Sequence, residues 1–363
     1  MIISSEIGVS NTNRESDKIN RETILKDIKP VDNDSNFVGT LYPILKTVEV
    51  KCSIPRLSAT FGNAFSFSMK KGNGVVWQHA NIDWWLFWEM INYIGVDFNE
   101  YQMILNGIQP PPTPNEIQDI KKQTWNQVKE SIDNGIPAIA WQPMTTEQRE
   151  NGVNAFGWGL LVGYNDLDKT YIVRHQTHRI EYHVPYNGFG YSDPVQWYCV
   201  MVPSKLKTVD ATNIDITILK HAVDFADGKR FNLDKAPYKV DTIGFDAYKQ
   251  WINLIESGNV DIGFTEHSAW MLWEMRQNAQ EYLLEITNQF NHESRQSITE
   301  AATYYKKEIN EIVKLVNLCK EHDQFTNTIR QEAISILNAA LDYDKKAIGK
   351  IKEFLESINL DSN

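Results

Sequence analysis

Five runs between Ile136 and Val202 decide the fold: IPAIAW (136–141), WGLLVGY (158–164), TYIVR (170–174), RIEYHV (179–184) and VQWYCVMV (195–202). They are rich in β-branched and aromatic residues, which suit a pleated, half-buried surface. Turn formers such as Asn165-Asp166 and Asn187-Gly188 separate them. Short strands joined by such turns read as an antiparallel sheet.

Working back from this sheet, Asn115 to Gly135 carries Ile117, Ile120, Trp125, Val128 and Ile132 on one side of a helix, behind the rigid connection GIQPPPTP (107–114). Asp83 to Gly95 is apolar nearly all round and closes on a glycine, so it reads as a buried helix with a glycine C-cap. The alternation in NAFSFSM (63–69) predicts a strand, with Gly72-Asn73-Gly74 as the turn after it. Two small helices open the domain: one on Leu41, Ile44, Leu45 and Val48, the other running from Pro55 to near Gly62. Residues 1–36 are polar and without period, which predicts a disordered or loosely attached leader.

Working forward, the chain passes Pro203 into a helical linker region, 205–262, with helices over Asn213–Asp227 and Gly244–Ser257. Beyond Phe264 apolar residues recur at helical spacing with almost no Gly or Pro, and polar breaks fall near Asn291–Arg295 and Glu321–Thr328. Three long amphipathic helices in an antiparallel bundle follow from that pattern. The expected organisation is an α+β domain over 37–204, the linker region, and a bundle over 263–363. Three apolar stripes must be buried somewhere, against one face of the first domain or in a homodimer contact.

Composition narrows the function. A net charge of -11 argues against a nucleic-acid partner, which needs a concentrated basic surface. Cys52, Cys199 and Cys319 are odd in number and far apart, which suits neither a disulfide framework nor a CxxC metal site. No run approaches the ~18 apolar residues of a membrane span, and the N-terminus lacks the apolar core of a signal peptide, so a cytoplasmic protein with no membrane partner is the expectation. Arg174-His175-Gln176-Thr177-His178 with His183 invites a metal reading, but His175 and His178 need not share a strand face. No metal and no cofactor is assigned.

The helical opening, the Gly62-Asn63-Ala64-Phe65 segment and the sheet runs GIPAIA (135–140), GWGLLVGYN (157–165) and TYIV (170–173) together resemble the bacteriocin-processing, C39-like cysteine peptidase fold, a papain-like architecture. Within it the chain looks most like the butirosin-biosynthesis protein H N-terminal family, over roughly residues 37–203, and 243–251 with the helices beyond 264 look like a helical extension of bacterial relatives. The resemblance implies a cysteine nucleophile at the start of the first long helix, where the helix N-terminus stabilises a thiolate. It implies a histidine base at the start of the central strand. Here the expected helix opens Gly39-Thr40-Leu41-Tyr42 and the strand opens Gly157-Trp158, so both positions are substituted.

Weak replacements are Thr40 and Cys52 as nucleophiles, with His79 or His175 as base. Phe65, Trp84, Trp158 and Trp270 are the aromatic candidates for ligand contact. Each has a plainer reading as core or surface. Asp83 reads equally well as a helix cap, and Glu266, His267, Glu274 and Arg276, beside Trp270 and Trp273, either face the first domain or form a solvated helix face. Two functions follow: a non-catalytic protein binding a small molecule or peptide in a degenerate cleft, or an acyl- or amide-transferring enzyme of the butirosin type with an acyl-carrier protein as partner.

Overall fold

The computed structural model describes residues 22–33, 35–69, 84–105, 110–191, 196–229, 242–290 and 292–360. At its centre is a seven-stranded antiparallel sheet in the order β3-β8-β4-β5-β6-β7, formed by β3 (Val96–Ile104), β4 (Ala138–Trp141), β5 (Trp158–Asn165), β6 (Thr170–His175), β7 (Tyr182–Pro185) and β8 (Trp197–Leu206). The seventh strand, β1 (Glu22–Ile24), pairs with the far half of β5, Ile24 opposite Gly163, beyond the reach of β4. The other strands are β2 (Ser68–Met69) and β9 (Thr242–Ile243), which form a small separate pair.

Period two sorts the sheet's side chains onto two faces. Ile139, Trp141, Trp158, Leu160, Ile172, Cys199 and Met201 point to one side. There they meet α1 (Asn36–Thr47), α2 (Ile54–Thr60) and α3 (Trp84–Met90). Ala138, Ala140, Leu161, Tyr171, Val173, Tyr198 and Val200 point to the other, against Trp125, Val128 and Ile132 of α4 (Pro114–Asp133). A capping box between Thr113 and Glu116 starts α4 directly after the prolines. A short α5 (Thr146–Glu150) lies between β4 and β5.

The remaining helices are α6 (Ala211–Ala226), α7 (Phe245–Glu256), α8 (Ile262–Ile286), α9 (His292–Lys320) and α10 (Asn327–Leu360). Tyr282, Leu283, Ile286, Tyr305, Ile348 and Phe354 belong to the same apolar core as α1 and the sheet, so the long helices close onto the sheet-bearing half within one chain. Two ionic clusters stitch this junction. Arg56 of α2 forks onto Asp215 of α6 at 2.7 and 3.2 Å and reaches Glu285 of α8 at 2.8 Å, while the Tyr282 hydroxyl donates to Asp215 at 2.8 Å. Arg276 of α8, wholly buried, donates to Glu308 at 3.0 Å, to Asp344 at 3.2 Å and to the Ala64 carbonyl at 3.0 Å. The Tyr248 hydroxyl donates to Glu308 as well. Of the two readings of Arg276, the solvated face fails and the face turned to the first domain holds: it is the centre of a core network that reaches Ala64, because α7, α9 and α10 enclose that side of α8.

Three other expectations change. Residues 22–33 are not a loose leader: β1 joins the sheet, and the guanidinium of Arg174 faces the carbonyls of Leu25, Lys26 and Ile28 at 2.6–3.0 Å. The alternation at 63–69 yields only the two residues of β2, because Gly62, at φ +80°, turns the backbone and Ser66 donates back to its carbonyl. The strand β3 was not anticipated, its polar residues Asp97, Asn99, Glu100 and Gln102 hiding the pattern of an edge strand.

One feature fixes the first helix against the chain before it. Pro43 lies inside α1 and has no N–H, so the Gly39 carbonyl one turn earlier lacks its helical partner. The Val31 N–H supplies it at 2.9 Å, and a Cβ on Gly39 would stand 2.1 Å from the Val31 oxygen. Only glycine permits that approach.

Candidate functional site

The start of α1, the start of β5 and the end of β6 meet at one place. Ser35 is the N-cap residue of α1, one turn earlier than the Gly39-Thr40 start expected from sequence, so the residues at the helix N-terminus are Ser35 and Asn36. The Asn36 side-chain oxygen accepts the Trp158 N–H. A Cβ on Gly157 would collide with the same oxygen. At the start of α1 and of β5, a side-chain amide and a backbone amide are thus hydrogen-bonded to each other.

Behind this contact the space is filled. The Trp158 ring has Phe37 at 5.2 Å, Trp141 at 5.3 Å, Trp197 at 5.9 Å and Phe87 stacked at 6.0 Å. Trp158 is therefore core, 1% exposed. Thr40 is buried, and its hydroxyl faces the Asn36 carbonyl at 2.8 Å and the Trp158 carbonyl at 3.1 Å, with its proton committed to backbone oxygens. The Cys52 thiol is pushed up to about 12 by burial, partly offset by Arg56, and holds no thiolate at neutral pH. Cys199 and Cys319 are buried and raised for the same reason.

His175, at the end of β6, pairs across the sheet with Gly159, and its ring packs over that glycine. Burial, with His178 adding to it, lowers its pKa to about 3, against a smaller opposing effect of the Phe156 carbonyl. The ring is thus neutral. Its Nδ1 lies 3.2 Å from the Thr177 N–H and 3.0 Å from the Thr177 hydroxyl, which itself donates to the Asn154 carbonyl at 2.7 Å. Among the described residues the Ser35 hydroxyl, the Asn36 amide nitrogen and the Gln176 side-chain oxygen are buried and make no hydrogen bond, while the His175 ring is held by the Phe156 carbonyl. Unpaired buried polar atoms are uncommon in folded proteins, and several at one helix N-terminus form a site of unmet hydrogen bonding. Donors dominate it, and the positive end of α1 adds to them.

Outside this group lies a polar depression of about 510 Å³ lined by Asp32, Asn33, Gln176, Thr177, Arg179 and Glu274. The Asn33 side chain donates to Glu274 at 2.7 Å, and Gln176 donates to the Asn33 carbonyl at 2.6 Å. Glu274 therefore brings α8 to the rim of the site.

The other sequence candidates lie elsewhere. Phe65 is buried against Tyr282 and Tyr305 at the junction with the long helices. Trp270 is 39% exposed on α8, edge-on to Trp273 and under Lys320. Trp84 opens α3, with its side chain outside those described. His79 and Asp83 lie outside the described residues. His183 is on β7 beside Thr170, and among the described residues no three His, Cys, Asp or Glu side chains converge as a metal would require. Ser35 and Asn36 were missed by sequence reasoning, although Asp34-Ser35-Asn36 ahead of an apolar run is a helix-start signal.

Protein-family models give no match to this chain, and a search of curated proteins finds none either.

Proposed function

We propose that this chain is a non-catalytic binding protein on a papain-like, C39-like α+β fold, holding a peptide or small molecule through a carboxylate or carbonyl oxygen at the start of α1. The observation that supports the reading is the Asn36–Trp158 hydrogen bond, which ties together the starts of α1 and β5, the elements on which the resemblance would put a cysteine and a histidine. Burial lowers the His175 pKa to about 3, which makes the ring neutral and too weak a base to activate a nucleophile. Acyl transfer from an acyl-carrier protein would need an activated nucleophile, and neither the committed Thr40 hydroxyl nor the raised Cys52 thiol offers one.

Incubation of the purified protein with an acyl thioester and an amine acceptor, followed by mass spectrometry, tests this. The expected result is intact protein with no acyl adduct and no amide product. Steady turnover would overturn the binding-only reading.

A further inference from the structure

A second site lies far along the chain, where α7 ends and α8 and α10 begin. Arg330, in the first turn of α10, forms no ion pair among the described residues, and its buried Nε makes no hydrogen bond. That is unusual in a chain of net charge -11, where carboxylates outnumber cations. The guanidinium lies beneath Gly258, its Nη2, Nη1 and Cζ atoms 3.5, 3.8 and 3.9 Å from where a Cβ would stand. Gly258 has φ +73° and ends α7, so the turn that exposes this face is one glycine favours.

The guanidinium lines an open cavity of about 460 Å³ together with Val260, Asp261, Asp323 and Phe325. Asp261 spends one carboxylate oxygen on capping α8, accepting the Phe264 N–H at 2.6 Å. Asp323 is exposed and forms no ion pair among the described residues. The charges decide the ligand class. One guanidinium beside two carboxylates leaves the cavity net negative, which repels a phosphate dianion. A carboxylate that carries its own ammonium group meets both signs: the planar fork of Arg330 suits the carboxylate, and the Asp323 side suits the ammonium. Val260 and Phe325 offer apolar surface to a side chain. The geometry points to a binding site for a free α-amino acid with an apolar side chain, separate from the site at α1.

Titration calorimetry on the full chain tests this with four probes: L-leucine, 4-methylpentanoate, 3-methylbutylamine and inorganic phosphate. Leucine should bind saturably and the other three more weakly. Arg330→Gln should weaken leucine by about tenfold or more, the loss of a charge-assisted fork. Asp323→Asn, an exposed change that leaves the fold intact, should weaken leucine while leaving 4-methylpentanoate unchanged or tighter. Absence of saturable leucine binding, equal binding of phosphate, or an Asp323→Asn variant indistinguishable from the parent would each overturn the proposal.

Discussion

Trp158 donates its backbone N–H to the side-chain oxygen of Asn36, joining the first residue of the central strand to the first residue of the helix that covers it. Both residues are buried. Asn36→Ala leaves that N–H without an acceptor, and the chain should lose about 1–3 kcal/mol of stability. Urea denaturation of the two proteins side by side measures it. An unchanged midpoint would mean the contact is incidental.

Arg276 carries the largest structural consequence among single residues. Arg276→Met strands Glu308 and Asp344 in the core and should cost about 3–5 kcal/mol. Adding Glu308→Leu and Asp344→Leu to it should restore much of the loss, since an apolar replacement of a whole buried cluster is often tolerated. Thermal melts of the single and triple variants give the comparison.

Burial raises the Glu308 carboxyl above its ordinary range, with Arg276 opposing. The folded state then keeps a proton that the unfolded chain releases, so stability contributed by this group falls as pH rises through the window between the unfolded and folded pKa. Glu308→Gln, neutral throughout, should remove that slope: measured at a series of pH values, its stability relative to the parent should rise across the window.

His175 acts in the opposite sense. Its pKa falls from 6.5 to about 3, so below 6.5 the unfolded chain takes up a proton that the folded chain refuses, and stability is lost as pH falls. The ring should show no titration by NMR between pH 5 and 8, a range that lies wholly above about 3. A midpoint inside that range would mean that burial does not hold the ring neutral.

Cys52 is partly accessible yet its thiol is pushed up to about 12. Iodoacetamide at pH 8 should label the native protein slowly and the urea-unfolded protein at all three cysteines. Rapid native labelling at Cys52 would reinstate it as a nucleophile.

Much of the fold was legible because it rests on period. The β-branched and aromatic runs of β5 and β6, the apolar face of α4 and the polar breaks of the long helices all appear in the residue order. What escaped was non-local. Nothing near Arg276 in sequence announces Glu308 and Asp344, 32 and 68 residues away. β3 was hidden by its polar edge, and the site at α1 by starting the helix one turn late. The filled space around Trp158 could not be read at all, since four aromatic rings from four separate segments create it.

The bond from Val31 to the Gly39 carbonyl has a practical meaning for anyone shortening this chain. A cut placed at residue 36, where the periodic sequence begins, would remove both β1 and the donor that the Pro43 gap requires. The shortest piece worth expressing starts before Glu22. Limited proteolysis should leave residues 22–33 uncut while the helix beneath them stays folded.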